Sequence, residues 1–274
     1  MLKNLGPTPW RHRGEAFVGP LPMKPSPSTQ DTALFQRSPV LLPGHSPLRT
    51  TRSAARSSAT NGEIEPAGRE IHFAGRVIIF LEGDETDSIY QLVDGAIMLY
   101  KLMPDGRRQI VEVLHAGDVF GFSPAAVHEC SAESLVASTC IVFKQADLAR
   151  SPVLMQSVNE HIQTQLCAMH DHAILLGRKT AMERIATFLM RCVPGRGGYH
   201  CLAPAPSLER TGIRLNMTRH EIADFLGLTI ETVSRCLSKL KRRGAIAIDR
   251  PDEILINDVC RMCRLTGTEA TCQR

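Results

Sequence analysis

The spacing of apolar positions changes three times along the chain. Residues 1–62 keep no sustained apolar period and hold nine of the seventeen prolines, with many Ser and Thr. Such a stretch cannot bury enough surface to offset chain entropy, and it is expected to be a disordered basic extension. From Glu63 the pattern turns to short β-rich runs: Val77–Phe80, Ile89–Val93, Ile97–Leu102 and Ile110–Leu114. Turn chemistry separates them, in Glu82-Gly83-Asp84, Asp94-Gly95, Pro104-Asp105-Gly106 and Gly117-Asp118. Many short strands at close spacing predict a sandwich or barrel over residues 63–146.

A long helix is predicted next, over Asp147–Leu176, starting after an Ala146-Asp147 cap, entering its long run beyond Pro152, and closed by Gly177 as a hinge. Leu154, Val158, Ile162, Leu166, Met169, Ala173 and Leu176 step by four, four, four, three, four and three. So narrow an apolar stripe fits the seam of a two-stranded coiled coil, and residues 147–177 are expected to be a dimerisation helix. A core-facing helix in a monomer would carry the same stripe, usually broader.

The spacing then shortens over residues 178–259. Met182–Met190 opens this part, and Ile213–Leu215 is a strand leading into Thr218. Thr218 with Glu221 is a capping box, Ile222, Phe225 and Leu226 follow at helical spacing, and Gly227 stops the helix. A second helix places Ile230, Val233, Leu237 and Leu240 on one face. Ala223 is small where the two helices would cross. Two short helices with a Gly-containing turn make a helix-turn-helix. Beyond Gly244, Ala245–Ile248 and Ile254–Ile256 flank a turn at residues 249–253, a hairpin in the manner of a wing. Residues 260–274 are left as a tail.

The second helix turns Glu231, Thr232, Ser234, Arg235, Ser238 and Lys239 away from its apolar face. The N-terminal end of such a helix is the part that reaches base edges in a major groove. Arg235 can fork onto guanine O6 and N7, and Glu231 can accept from cytosine N4. The two are also i,i+4 neighbours, able to hold each other. Ser234 adds a shorter contact, and Ile230 at the helix mouth can touch a thymine methyl while serving mainly as core. Thr218, Arg219, Thr229, Lys239 and Arg242, at helix ends and outer faces, are expected on phosphates. An ordinary solvated face would look similar for this helix alone. The capped helix before it, the Gly turn and seven Lys/Arg against three Asp/Glu over Arg214–Arg243 favour double-stranded DNA as the partner.

Charge sharpens the division. Residues 1–62 carry eight Lys/Arg against two Asp/Glu, residues 63–150 seven against fourteen, and residues 151–274 seventeen against twelve. An acidic middle beside a basic C-terminal third fits one nucleic-acid-facing domain. No stretch approaches the ~20 apolar residues of a membrane span, and no apolar secretory core opens the chain, so a cytoplasmic location is expected. Nine cysteines, an odd number, fit reduced thiols better than a disulfide framework. Cys260 and Cys263 with Cys272 have the only metal-like spacing, but no clear fourth ligand joins them, so no metal site is expected and they read as frayed thiols. Cys236 should point inward. A thiolate near basic side chains is activated, which leaves a redox-responsive cysteine near the helix-turn-helix open. No nucleophile–base pair, P-loop or carboxylate dyad is spaced for catalysis, so no enzymatic activity is expected.

RKTAMERIATFL (Arg178–Leu189) followed by MTRHEIADFLGLTIETVSRCLSKLKRRGAI (Met217–Ile246) resembles the DNA-binding half of the CRP/FNR superfamily of bacterial transcription regulators. Glu231–Arg235, ETVSR, is similar to its FNR and FixK branches; the CRP branch has Gly where Ser234 stands. The resemblance covers roughly residues 64–257. It implies an α+β chain: a cyclic-nucleotide-binding-like β-barrel (a double-stranded β-helix), a long dimerisation helix and a C-terminal winged helix-turn-helix. It further implies a homodimer in which Glu231, Ser234 and Arg235 read TTGAT-like half-sites of a palindrome. Contact with RNA polymerase would then activate genes for microaerobic respiration, denitrification or nitrogen fixation. The barrel departs from relatives that bind a cyclic nucleotide. After the ligand-loop stretch Gly117–Phe122, their Arg-Ser phosphate clamp is replaced by HECSAES (His128–Ser134), where a Glu would repel phosphate. Arg107 and Arg108 lie in a hairpin and are expected to be exposed. No cyclic nucleotide and no cofactor are therefore expected. The alternative within the fold is an FNR- or Dnr-like sensor holding an iron–sulfur cluster or haem, against which no cysteine precedes Cys130; a cyclic-nucleotide-responsive regulator is more remote.

Overall fold

Strand β4 (Ile97–Leu102) shows why the barrel and the C-terminal helices form one body. Its first four residues are all buried, so both of its faces are covered. The computed structural model describes residues 68–123, 125–148, 150–193 and 210–267. The extension over residues 1–62, Cys201 and Cys272 lie outside them.

Before β4 come β1 (Arg69–Phe73), β2 (Ile78–Phe80) and β3 (Ser88–Asp94). After it come β5 (Arg108–Leu114), β6 (Val119–Phe120), β7 (Ser131–Ser134) and β8 (Ser138–Lys144). They form two antiparallel four-stranded sheets in the orders β1-β8-β3-β6 and β2-β7-β4-β5. Leu92, Phe120 and Cys140 from the first sheet meet Phe80, Ile97, Leu99, Leu114 and Ala132 from the second in one apolar core. The alternate residues Met98, Tyr100 and Ile110 leave the second sheet on its other side. They join a second core with Leu175, Ile185, Leu189, Phe225, Val233 and Leu240. The middle sheet is therefore covered twice, which accounts for the unbroken apolar run Ile97–Tyr100.

The barrel interior near the ligand-loop stretch is filled by the chain's own rings. Phe80 stacks on His128 with centroids 3.6 Å apart, and Tyr90 stacks on Phe120 at 5.0 Å. The hydroxyls of Ser131 and Ser134 are bound to backbone, accepting from the amides of Glu82 and Val77.

The long run begins at Pro152 as expected, but a break separates it from the Ala146-Asp147 start, and its end departs from expectation. A short α1 (Gln145–Leu148) contains the expected Ala146-Asp147 start. The long helix α2 (Pro152–Arg178) begins afresh behind Ser151, whose hydroxyl caps the Leu154 amide, with proline in the first turn where its missing N–H costs nothing. Helix α2 runs through Gly177 rather than hinging there, and ends at Lys179. Along it, Val158 is buried against Ile89 and Val119 of the barrel, with Ile162 packed beside them. Leu166 and Met169 are about half exposed, as is Ile174. The stripe from Leu154 to Leu176 is thus divided: Val158 serves the chain's own core, while Leu166, Met169 and Ala173 face outward.

Helix α3 (Ala181–Arg191) starts with a complete Thr180–Glu183 capping box, and buries Ile185, Ala186, Phe188, Leu189 and Met190. Strand β9 (Thr211–Arg214) pairs with the second strand of a hairpin, β10 (Ile246–Arg250) and β11 (Glu253–Ile256). The hairpin is the wing expected at residues 249–253. Helix α4 (Arg219–Leu226) and helix α5 (Ile230–Arg242) lie between them. Past the wing, the stretch read as tail opens with helix α6 (Val259–Arg264), capped by Asp258 and anchored by buried Val259 and Met262. Residues i and i+3 apart share one helical face, and that pair docks the turn with Cys263 and Leu265 packed beside it.

Candidate nucleic-acid interface

Helix α4 is built as its residues dictate. The Thr218 hydroxyl accepts from the Glu221 amide at 3.3 Å, and the Glu221 carboxylate accepts from the Thr218 amide at 2.6 Å. Gly227 then adopts φ +59°, a left-handed stop that a side chain would oppose. Ala223 is buried where α4 meets α5, which lets the two backbones approach. Helix α5 is entered through Thr229, whose hydroxyl accepts from the Thr232 amide at 3.3 Å. Its buried side is Val233, Leu237 and Leu240.

The opposite side is open. Glu231, Ser234, Arg235, Ser238, Lys239 and Arg242 are exposed along one stripe, with Thr229 exposed at its head. Ile230 is half-buried at the mouth. Arg235 does not lean on Glu231 as its i,i+4 spacing suggests; its guanidinium donates to the Thr232 hydroxyl at 3.1 Å, which lies 3.1 Å from that of Thr229. The Glu231 carboxyl is held below the usual carboxylate range by hydrogen bonds from its own backbone and the Thr229 hydroxyl, with Arg235 and His220 adding favourable charge. A hydroxyl ladder thus runs from the helix cap to the arginine. An exposed carboxylate stays ionised beside it. Such a face offers a forked donor, an acceptor and a short hydroxyl to base edges.

The expected phosphate residues are not equivalent. Thr218 is exposed, but its hydroxyl is committed to the capping box. Arg219 is half-buried and donates to the Pro251 carbonyl at 3.2 Å, which ties α4 to the wing turn rather than leaving the guanidinium free. Lys239 and Arg242 remain open on the last turns of α5. The wing is braced in turn by Arg214, which donates to Glu253 at 2.6 Å.

Beside the shared apolar core, two ion pairs hold this unit on the barrel, and neither is visible as a motif. Arg108 was expected to be exposed; instead it is three-quarters buried, lies over the Tyr100 ring at 5.4 Å, and donates to Asp224 of α4 at 2.9 Å. Arg107 beside it is exposed and pairs within its own turn with Asp105. Arg76 pairs with Glu221, the same carboxylate that closes the capping box, and donates to the Asn216 carbonyl at 3.2 Å. Arg76 itself has φ +67°, a left-handed conformation in the turn between β1 and β2. Glu221 is almost fully buried, so its charge is answered from both ends.

Among the described residues no group of three or more His, Cys, Asp or Glu side chains is placed to hold a metal ion. Cys260 and Cys263 lie on α6 and are half-buried. Cys236 faces the core, and burial pushes its thiol above the usual value despite Lys239 and Arg235 nearby. Burial thus opposes the effect of the neighbouring cations on this thiol. No helix of the described residues is long and apolar enough to cross a membrane.

Two family models match the chain. A cyclic nucleotide-binding domain covers residues 70–151, and a Crp-like helix-turn-helix domain covers residues 183–265. The chain is 42% identical over 190 residues to the nitrogen fixation regulation protein FixK of Bradyrhizobium diazoefficiens, covering 68% of this chain and 77% of that protein. It is 36% identical over 229 residues to the transcriptional activatory protein AadR of Rhodopseudomonas palustris, covering 79% and 92%. Among solved structures it is similar to FixK2 from Bradyrhizobium japonicum, with a TM-score of 0.62 and 34% identity over 72% of this chain and 96% of that one.

Proposed function

We propose a function from one premise: the chain belongs to the CRP/FNR family of DNA-binding transcription regulators. It acts as a homodimeric activator that binds a TTGAT-like palindrome and engages RNA polymerase from there, in the cytoplasm. The observation that carries this reading is the exposed stripe of α5, in which Glu231, Ser234 and Arg235 stand clear of the core near the capped end of the helix. Arg235 forks onto the guanine of each half-site, Glu231 accepts from the opposite strand, and Ser234 adds a short contact, with Ile230 against a thymine methyl. Thr229, Lys239 and Arg242 meet phosphates, Thr218 through its backbone end of the helix, and Arg219 mainly by fixing the wing.

Dimerisation uses the outward part of α2, at Leu166, Met169 and Ala173, with Leu154, Ile162 and Leu176 at its margins. Two readers held this way present recognition helices to successive major grooves, ~34 Å apart. The aromatic fill of the barrel and the absence of an Arg-Ser pair in His128–Ser134 support a regulator that needs no cyclic nucleotide. Relatives named for nitrogen fixation regulation favour genes of microaerobic, denitrifying or nitrogen-fixing metabolism.

The test sets Arg235→Ala against Lys239→Ala on the palindrome and on variants with its G·C pair replaced. Arg235→Ala should cost ~1–3 kcal/mol per half-site and flatten the preference at one base pair. Lys239→Ala should weaken all sequences alike and reduce the salt slope by about one unit per lost contact. Undiminished discrimination by Arg235→Ala would remove Arg235 as the guanine reader.

A further inference from the structure

Arg184, on the first turns of α3, gathers the ends of two other helices. Its Nη2 donates to the Leu176 carbonyl at 2.6 Å and its Nε to the Lys179 carbonyl at 2.9 Å, both at the C-terminus of α2. Its Nη1 donates to the Leu226 carbonyl at 2.8 Å and lies 3.4 Å from the Gly227 carbonyl, both at the C-terminus of α4. The last carbonyls of a helix have no partner within it, and they carry the negative end of its dipole. One planar cation answers both ends at once. A guanidinium has donors directed along fixed bearings, so it sets an angle between the groups it joins; an ammonium does not. The Leu176 side chain also reaches Gly227, so the two ends approach at the bend that leads into α5.

From this geometry we infer that Arg184 is a positioning residue: it fixes the bearing of the recognition helix relative to the dimerisation helix, and so sets which half-site spacing the dimer accepts. The inference rests on the paired half-site reading above. In a symmetric dimer the distance and rotation between the two α5 helices follow from α2 and from how each reader hangs on its end. The Arg76 and Arg108 contacts tie α4 to the barrel, whereas Arg184 ties it to α2 itself. One base pair added between half-sites rotates them by roughly 35° about the duplex axis, a change that a rigid reader cannot follow.

The experiment measures binding of the full chain to palindromes whose half-sites are spaced as in the preferred site, or one base pair closer or farther. Wild type should lose about ten-fold or more in affinity at either altered spacing. Arg184→Met, which keeps the aliphatic stem, and Arg184→Lys, which keeps the charge without the fork, should bind the three spacings within about three-fold of one another, with sedimentation still showing dimers. Should Arg184→Met not fold by circular dichroism, Arg184→Lys carries the comparison. Variants that bind more weakly but retain the wild-type spacing preference would reduce Arg184 to a structural support and overturn the inference. A wild-type protein indifferent to spacing would instead overturn the paired half-site reading, and this one with it.

Discussion

At the scale of single residues, the side chains that matter most for the reader divide by the sequence distance to their partners. Thr218 and Glu221, or Thr180 and Glu183, meet because three positions on a helix start are neighbours, and that spacing is legible in the chain. Arg108 meets Asp224 across 116 positions, and no local pattern announces the pair. Exchanging Arg108 for Met and Asp224 for Ala, singly and together, should reveal a coupling of about 1–2 kcal/mol in denaturant unfolding, since both side chains are mostly buried. Additive losses would mean that the contact contributes nothing beyond its separate parts. Glu112 of β5 is a half-buried carboxyl, accepting from Gln165 of α2 at 3.3 Å. Burial, with the Asp118 charge adding to it, raises its carboxyl from 4.5 to about 7. Between those values the folded chain keeps a proton that the unfolded chain has released. Its contribution is thus most favourable below pH 4.5 and is lost as pH rises through 7. Glu112→Gln should be near neutral at pH 5 and stabilise by about 2 kcal/mol at pH 8, read from melts at the two values.

At the scale of elements, α2 shows what periodicity can and cannot say. Its seven-member stripe correctly marks a long amphipathic helix, but a stripe does not name its partner. Val158 lies against the barrel, whereas Leu166 and Met169 on the same stripe stand outside it. The two halves should fail differently. Val158→Glu would bury an unpaired carboxylate and should lower stability by several kcal/mol, about 3 by order of magnitude. Leu166→Glu should leave the melting of the monomer nearly unchanged while sedimentation shows dissociation and DNA affinity falls. A dimer that survives Leu166→Glu would move the seam elsewhere. The short helices were less legible. The long run beyond Pro152 is marked by its proline, but the separate turn of helix α1 is not, and α6 beyond the wing offers few apolar positions, Val259 and Met262 with Cys263 beside them. Strand β4 lost its alternation for a physical reason: with both faces covered, no position is left for a polar residue.

At the scale of the whole molecule, one apolar core runs from Met98, Tyr100 and Ile110 of the barrel through Leu175 of α2 to Val233 and Leu240 of the recognition helix. Parts joined by a continuous core exchange little free energy separately, so calorimetry should show one transition, with equal calorimetric and van't Hoff enthalpies per cooperative unit. Two resolved transitions would indicate that the reader unfolds on its own. The double use of Glu221 then bears on how interchangeable the two halves are. The carboxylate that starts α4 also faces Arg76, and Asp224 one turn later faces Arg108. A helix-turn-helix moved by recombination onto a foreign barrel would arrive with two carboxylates, one almost buried, and no guanidinium to receive them. Such a hybrid would need Arg at both barrel positions before its new half could settle. Barrel and reader of this chain are thus matched to each other at two ion pairs, and chimeras that keep the two together should unfold at higher temperature than chimeras cut between them.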